Sequence, residues 1–430
     1  MSEKQVKLII TLFLALALFF AKKVKSQSFI KPTDHFRLYE FPLRFSEDML
    51  PNDLKNYGIY YGINFANDFL YNVSGGIKTG PAYIGLFYPN INIDFNKMFG
   101  WREANMYISA IGNIGDNFNK KIGTEQGVDN IAAFNTWKIY EFWIEQMLLN
   151  NNLSLKLGLY DLNTEFDVRL SSLVFLDPSQ AIGPEFSLTG KNGPSIFPTT
   201  SVAFRVKYQN NAGFYFQSAI LDGVPGDPNN PAGTHIIFNK KYGLLLAGET
   251  GYVNNKNGFS KSYEKFFLGA WYYTSKFEKL QSTDIRGNPG YQEGNYGIYL
   301  SAEKFLWSKT ANPNEGLAAF LRIGISNKNV NMIDGYLGFG INYTGIIPGR
   351  EQDEFGIAFA SAHNSSKYIE QMLLESINIS KYESIIEMTY LYYLNNWLSI
   401  QPDLQYVFNP ANCQNNDYSF IAGIRMILTL

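Results

Sequence analysis

The chain has 430 residues and a formal net charge of −2, with 17% charged and 16% aromatic residues. The longest basic run is the short Lys22-Lys23-Val24-Lys25, so there is no electrostatic footprint for nucleic acid. The one cysteine, Cys413, excludes an internal disulfide and a thiolate metal cluster. His35, His235 and His363 are far apart in the sequence, without metal-ligand spacing, so neither metal nor cofactor is expected. The 29 tyrosines and 34 phenylalanines accompany a mean hydropathy of only −0.15. A soluble fold buries its aromatics in a core; a membrane barrel spreads them over a lipid face and two interfacial girdles around a polar lumen.

In chain order, Lys4 and Lys7 precede an apolar run over 8–21, which reads as a secretory signal peptide over 1–26 with cleavage near Ser26. Cys413 does not follow the leader, which argues against a lipid anchor. Residues 27–56 are assigned to an N-terminal periplasmic segment. Beyond residue 21 no stretch reaches the roughly 18 to 20 apolar residues of a spanning helix, which leaves a periplasmic protein, a secreted protein or an outer-membrane barrel.

Alternation decides among these. Barrel strands alternate lipid-facing and lumen-facing residues over about 9 to 11 positions, and such segments occur near 57–66, 83–95, 105–112, 137–146, 153–160, 201–209, 214–221 and 243–252. They continue near 265–274, 297–307, 317–326, 335–344, 354–362, 382–393, 397–408 and 418–430. The last strand sets Phe420, Ala422, Ile424, Met426, Leu428 and Leu430 on one face, with Ile421, Gly423, Arg425, Ile427 and Thr429 on the other. The strand before it places Ser399, Gln401, Asp403 and Gln405 inside, and Pro402 predicts a bulge or a local loss of pairing. The segment 235–239 looks extended, but a separate strand there would break even parity, so it is assigned to a loop or to the start of strand eight.

The expected fold is therefore all-β: a transmembrane antiparallel barrel of about sixteen strands over 57–430. Connections support it, because short turns (96–104, 147–152, 210–213, 308–316, 345–353, 394–396) alternate with longer loops (113–136, 161–200, 222–242, 275–296, 363–381). Links 327–334 and 409–417 are shorter, and 253–264 longer, than that rule predicts. Trp101, Trp307 and Trp397 fall at the short-turn ends, where an aromatic girdle belongs. A secreted β-sandwich or β-helix fits sixteen alternating segments poorly.

Several stretches resemble the OprB-type carbohydrate-selective porins: NVSGG at 72–76, WKIYEFWIEQ at 137–146, LSLKLGLYDLNTEF at 153–166, GAWYYT at 269–274 and GNYGIYLSAEKFLW at 294–307. The likeness is closest in YTGIIPGREQDEFG at 343–356 and WLSIQPDLQYVFNP at 397–410. It runs in order from about residue 57 to the C-terminus. The resemblance implies a sixteen-stranded barrel of the outer membrane, with a third external loop folded inward as a constriction, and passive uptake of mono- or oligosaccharides. The sequence departs from the family in lacking a Gly-Asp-Trp-Gly-like segment before strand one, and in ending at Leu430 where barrels commonly end in Phe.

Such transport needs no catalytic group, only a constriction whose polar groups replace water on sugar hydroxyls and whose rings contact pyranose faces. The loop 161–200, with Asp161, Glu165, Asp167 and Arg169, is the candidate constriction. Strand phase adds Asn92, Asp94, Glu141, Trp143, Glu145, Lys156, Arg205, Lys207, Trp271, Glu303, Arg322, Asp403 and Arg425 as lumen-facing. Of these, Arg205, Lys207, Trp271, Lys156, Glu141, Asp94, Arg169 and Arg322 are the channel-lining candidates. Arg205 is the candidate for the narrowest point and Trp271 for sugar stacking. Each charge could equally solvate the lumen or pair with a neighbour; Glu141 and Glu145 could pair with Lys156 or Arg205, and Trp271 could belong to a girdle. A serine nucleophile would need a histidine base within hydrogen-bond reach, but His35 lies before the barrel and His235 and His363 lie at or beside external loops, so no enzyme is expected. NVSGG opens no helix, so it is no phosphate loop. The alternatives are a general diffusion porin without sugar preference and a surface-interaction barrel. The partners expected are small sugars, outer-membrane lipid and lipopolysaccharide, with the chain a monomer or a homotrimer.

Overall fold

A computed structural model describes residues 52–255, 258–283, 289–309, 312–411 and 417–430. The leader and most of the 27–56 segment lie outside the described residues, as does Cys413. The barrel strands are β1 (Ile59–Gly75), β2 (Gly80–Asp94), β3 (Ala104–Gly115), β4 (Thr136–Leu148), β5 (Leu153–Tyr160), β6 (Ser201–Gln209), β7 (Phe214–Asp222) and β8 (Leu244–Asn254). The second half comprises β9 (Glu264–Thr283), β10 (Pro289–Ser308), β11 (Gly316–Ser326), β12 (Ile333–Thr344), β13 (Glu354–Asn364), β14 (Tyr382–Tyr393), β15 (Leu398–Phe408) and β16 (Tyr418–Thr429). Short helices α1 (Asn52–Asn56), α2 (Phe95–Phe99), α3 (Phe118–Ile122), α4 (Pro184–Ser187) and α5 (Ser366–Leu374) lie between or before them.

Each strand pairs antiparallel with its neighbours in sequence, and β1 pairs with β16 to close the cylinder. Closure removes every sheet edge, which a membrane demands because lipid cannot satisfy a free backbone N–H or C=O. The seam runs from Asn64 opposite Thr429 to Gly75 opposite Ser419. Beyond it, Ile63 and Leu430 exchange hydrogen bonds of 2.9 and 2.8 Å. The terminal Leu430 therefore completes the last rung, with its side chain outward and 58% exposed.

Alternation sorts the two faces as the sequence pattern implies. Phe69, Tyr71, Ile139, Leu157, Phe204, Leu268, Leu300 and Phe339 form part of an exposed apolar exterior, while Asp68, Glu141, Arg205, Glu303, Arg322 and Arg425 are buried on the inner side. Trp101, Trp307 and Trp397 are exposed at the turn end. At Pro402 the β15–β16 register is unbroken and no bulge forms. Pairing with β14 lapses between Asp403 and Ile400 and resumes in the same register, because proline has no N–H to donate. A bulge does occur in β4: Ser109 faces Glu141 and Ala110 faces Ile139, so Tyr140 is the extra residue. Tyr140 and Glu141 are consequently both buried.

Two expectations need correction. The stretch 275–296 is not a loop, since β9 and β10 continue as a hairpin above the rest of the wall, with Lys276 paired to Glu293 at 3.3 Å. Outside the bilayer both faces of a strand meet water, so the greasy–polar alternation that marks a strand fades there. Likewise β1 runs to Gly75 rather than ending near residue 66; the adjacent polar Asn67 and Asp68 interrupt the alternation, although Asn67 points outward and accepts from the Tyr83 hydroxyl at 2.8 Å. The segment 235–239 belongs to the loop between β7 and β8. NVSGG closes β1, and Asn72 Nδ2 ties the following turn by donating to the Gly75 and Lys78 carbonyls, each at 3.0 Å.

Wall height is uneven. β5, β6 and β7 have 8, 9 and 9 residues, against 20 in each of β9 and β10. The long 161–200 link leaves and rejoins the barrel at this low side, where it enters the bore.

Candidate functional site: the lumen and its inward loops

The 161–200 loop is held in the bore by wall side chains. Glu303 on β10 accepts the Leu170 N–H at 3.1 Å and the Ser171 N–H at 2.9 Å. Glu387 on β14 accepts the Leu176 and Asp177 N–H groups at 2.6 and 3.0 Å. Glu249 on β8 accepts the Asp167 N–H at 2.8 Å and the Tyr299 hydroxyl at 2.8 Å. Backbone amides in a loop have no ladder to satisfy them, and a buried carboxylate supplies the acceptor. Each such charge-assisted bond contributes about 1.5–3 kcal/mol.

Arginines complete the attachment. Arg322 on β11 donates from Nε to Asp167 at 2.8 and 3.0 Å, and from its two terminal nitrogens to Glu185 at 3.1 and 2.7 Å. Arg169, on the loop itself, binds Asp167 at 2.6 Å and the Gln180 and Ala181 carbonyls at 2.8 and 2.9 Å. Space for this junction comes from a wall glycine. A Cβ on Gly324 would stand 1.9 Å from Glu185 Oε1.

The root of the loop is pinned on the low side. Arg205 donates to Glu145 and Glu165, each at 2.8 Å. Lys156 reaches Glu165 at 3.3 Å and lies 3.7 Å from the Trp143 ring centroid. Glu141 accepts the Asp161 N–H at 3.0 Å and the Trp143 indole N–H at 3.2 Å. The Tyr140 hydroxyl bonds Asp161. Burial pushes the Asp177 carboxyl up to about 7, although Ser179 hydrogen bonds work against that rise. Burial also raises the Glu185 carboxyl, which Arg322 partly offsets.

A second loop, 116–135, also folds inward; the sequence pattern places it outside. Glu383 on β14 accepts from the Thr124 hydroxyl at 2.6 Å and from the Gln126 N–H at 2.9 Å. Arg425 on β16 donates to Asp68 at 2.8 and 2.6 Å and to the side-chain Oδ1 of Asn130 at 2.8 Å. Asn130 in turn donates to the Phe175 carbonyl at 3.0 Å, joining the two loops.

The expected channel residues thus divide. Arg205, Lys156, Glu141, Arg169 and Arg322 face the lumen but spend their charge on the inward loop. Lys207 faces the lumen nearer the turn end, half-buried, 5.7 Å from the Tyr215 ring centroid. Trp271 faces inward and is 2% exposed, with its ring stacked on Phe186 of the loop at 4.9 Å and 6°; that face is not free to receive a sugar. Asp94 is not a mid-wall group. It ends β2 at the turn end and caps α2, accepting the Asn96 and Lys97 N–H groups at 2.9 and 3.2 Å. Glu249, Glu383 and Glu387 went unselected, though the inward phase of their strands marks them, since a carboxylate at such a position needs a donor.

A closed sixteen-strand cylinder with a greasy exterior, a polar bore and loops folded into that bore defines a porin of the bacterial outer membrane. The chain belongs to the OprB family of carbohydrate-selective porins, matching its description, "Carbohydrate-selective porin, OprB family", over residues 78–430. It is 24% identical over 412 residues to Porin B of Pseudomonas aeruginosa, covering 87% of this chain and 88% of that one. It is 20% identical over 403 residues to the putative porin QuiX of Acinetobacter baylyi, covering 87% and 90%. The high-pH structure of Pseudomonas putida OprB superposes with a TM-score of 0.76 at 20% identity, covering 88% of this chain and 96% of that one. That likeness speaks to the fold. The protein is a sugar-selective channel of the outer membrane.

Proposed function

We propose that sugars cross this barrel without chemical change, past a constriction formed by the 161–200 and 116–135 loops together with the wall that holds them. The observation that carries this reading is charge pairing in the bore: Arg169, Arg205, Arg322, Arg425 and Lys156 each face a carboxylate within 3.3 Å. Each of these cations is cancelled at contact distance, so little positive field remains to concentrate anions. Polar groups nonetheless remain to exchange hydrogen bonds with hydroxyls, and a neutral polyhydroxylated solute loses least on entry.

The exposed apolar exterior meets outer-membrane lipid and lipopolysaccharide. Residues 1–26 serve as the export signal, and 27–56 as a periplasmic segment. In a planar bilayer under a potassium chloride gradient, the reversal potential should show no preference for chloride. In proteoliposomes, glucose should enter faster than glutamate of similar size. Strong selectivity for chloride, or equal entry of the two solutes, would remove the proposed basis of selection.

A further inference from the structure

Among the described residues, Lys138 on β4, like Lys265 on β9, lacks the contact carboxylate that the bore arginines and Lys156 have. Lys138 is 9% exposed, and its ammonium contacts only neutral acceptors: the Thr199 hydroxyl oxygen at 3.0 Å and the Pro231 carbonyl at 3.2 Å. No carboxylate oxygen lies within 4 Å of it among the described residues. An ammonium has three N–H donors, so one remains beyond those two bonds.

Thr199 and Phe134, whose ring centroid is 5.0 Å from the ammonium, both line a cavity of about 310 Å³ where the 161–200 loop returns to the wall. Its apolar surface comes from Phe134, Phe197, Leu188 and Ile196, and polar atoms come from Ser187, Asn192 and Thr199. Asn192 uses its amide N–H on the Pro225 carbonyl at 2.6 Å, which leaves its own carbonyl oxygen as an acceptor. The volume lies at the small end of the range for small-molecule sites. The cavity offers an aromatic wall, one amide oxygen and one hydroxyl, and Lys138, not itself a lining residue, places its ammonium against that hydroxyl and the Phe134 ring. The rings suit the apolar face of a pyranose and the amide oxygen suits its hydroxyls. A buried ammonium with only neutral acceptors is stabilised when an anion pairs with it.

We infer that this cavity, at the loop end of β4, is a binding site for a carboxylate-bearing sugar, with the carboxylate on Lys138 and the ring against Phe134 and Phe197. The site is lined by the same two inward loops as the proposed constriction, and binding there is read separately from permeation.

Calorimetric titration of the detergent-solubilised, full-length protein with glucuronate and with glucose tests the assignment. Glucuronate should bind at least about five-fold more tightly than glucose, because a charge-assisted bond is gained. Lys138→Met should abolish that difference, and Lys138→Arg should keep most of it. Heat-modifiable migration on gels reports whether each variant is a folded barrel. Should Lys138→Met not fold, Phe134→Ala, which leaves the ammonium in place, should weaken both sugars by several-fold. Equal binding of the two sugars by the wild type, an undiminished preference in Lys138→Met, or unchanged affinities in Phe134→Ala would overturn the assignment.

Discussion

Arg322 serves two carboxylates of the inward loop from one wall position, so its removal would leave the buried Glu185 without its ion-pair partner and the buried Asp167 with Arg169 alone. Breaking a buried pair in this way costs about 3–5 kcal/mol. Arg322→Met should therefore lower the thermal midpoint for loss of the loop and raise single-channel conductance; calorimetry and bilayer recording check the two effects. Asp177 makes a pH-dependent contribution. Burial holds its carboxyl near 7, against an ordinary value of 3.8, so from about pH 4 upward the unfolded chain releases this proton before the folded one does. Its contribution to stability is present at acid pH and declines as pH rises through about 7. Melting followed at about pH 4 and about pH 8 should show less of that decline in Asp177→Asn than in the wild type, and equal slopes would contradict the assignment. At this scale the sequence was informative about direction but not about partners. Alternation correctly turned Arg205, Lys156, Glu141 and Arg322 inward. It could not show that Glu165, Asp167 and Glu185 would return from a forty-residue loop to neutralise them, because that contact depends on the path of the loop. Trp271 was inward for the same reason, and its covering by Phe186 was equally invisible.

Among the elements, the strands within the membrane were the most legible, and the reason is solvent. Where lipid meets one face and water the other, the pattern has period two, as in β15 and β16. Above the bilayer that contrast vanishes, and the β9–β10 hairpin reads as a loop although Lys276 and Glu293 are paired across it. The inward course of 161–200 came from family resemblance and from its length. The inward course of 116–135 left no comparable trace in the sequence, since its anchors, Glu383 and Arg425, lie roughly 250 to 300 residues further on. The staples belong to this scale. Glu303→Ala strands the Leu170 and Ser171 N–H groups at a cost of about 1–3 kcal/mol each. Hydrogen exchange at 170–172 should quicken markedly while β10 and β11 stay protected; unchanged exchange at 170–172 would mean that Glu303 does not hold the loop.

The molecule as a whole is a cylinder sealed by β1 against β16, with its bore narrowed from within by two loops that wall charges hold in place. Sealing depends on the final rung at Ile63 and Leu430, and removing the last three residues should slow assembly of the heat-modifiable barrel. Narrowing depends on the loop whose path begins and ends at the low wall of β5 and β6. Proteoliposome swelling across sugars of increasing size, comparing the wild type with a deletion of 170–182, tests that most directly. The wild type should admit monosaccharides and slow steeply with each added ring, and the deletion should flatten that dependence. An unchanged size dependence in the deletion, or a wild type impermeable to every sugar, would contradict the account.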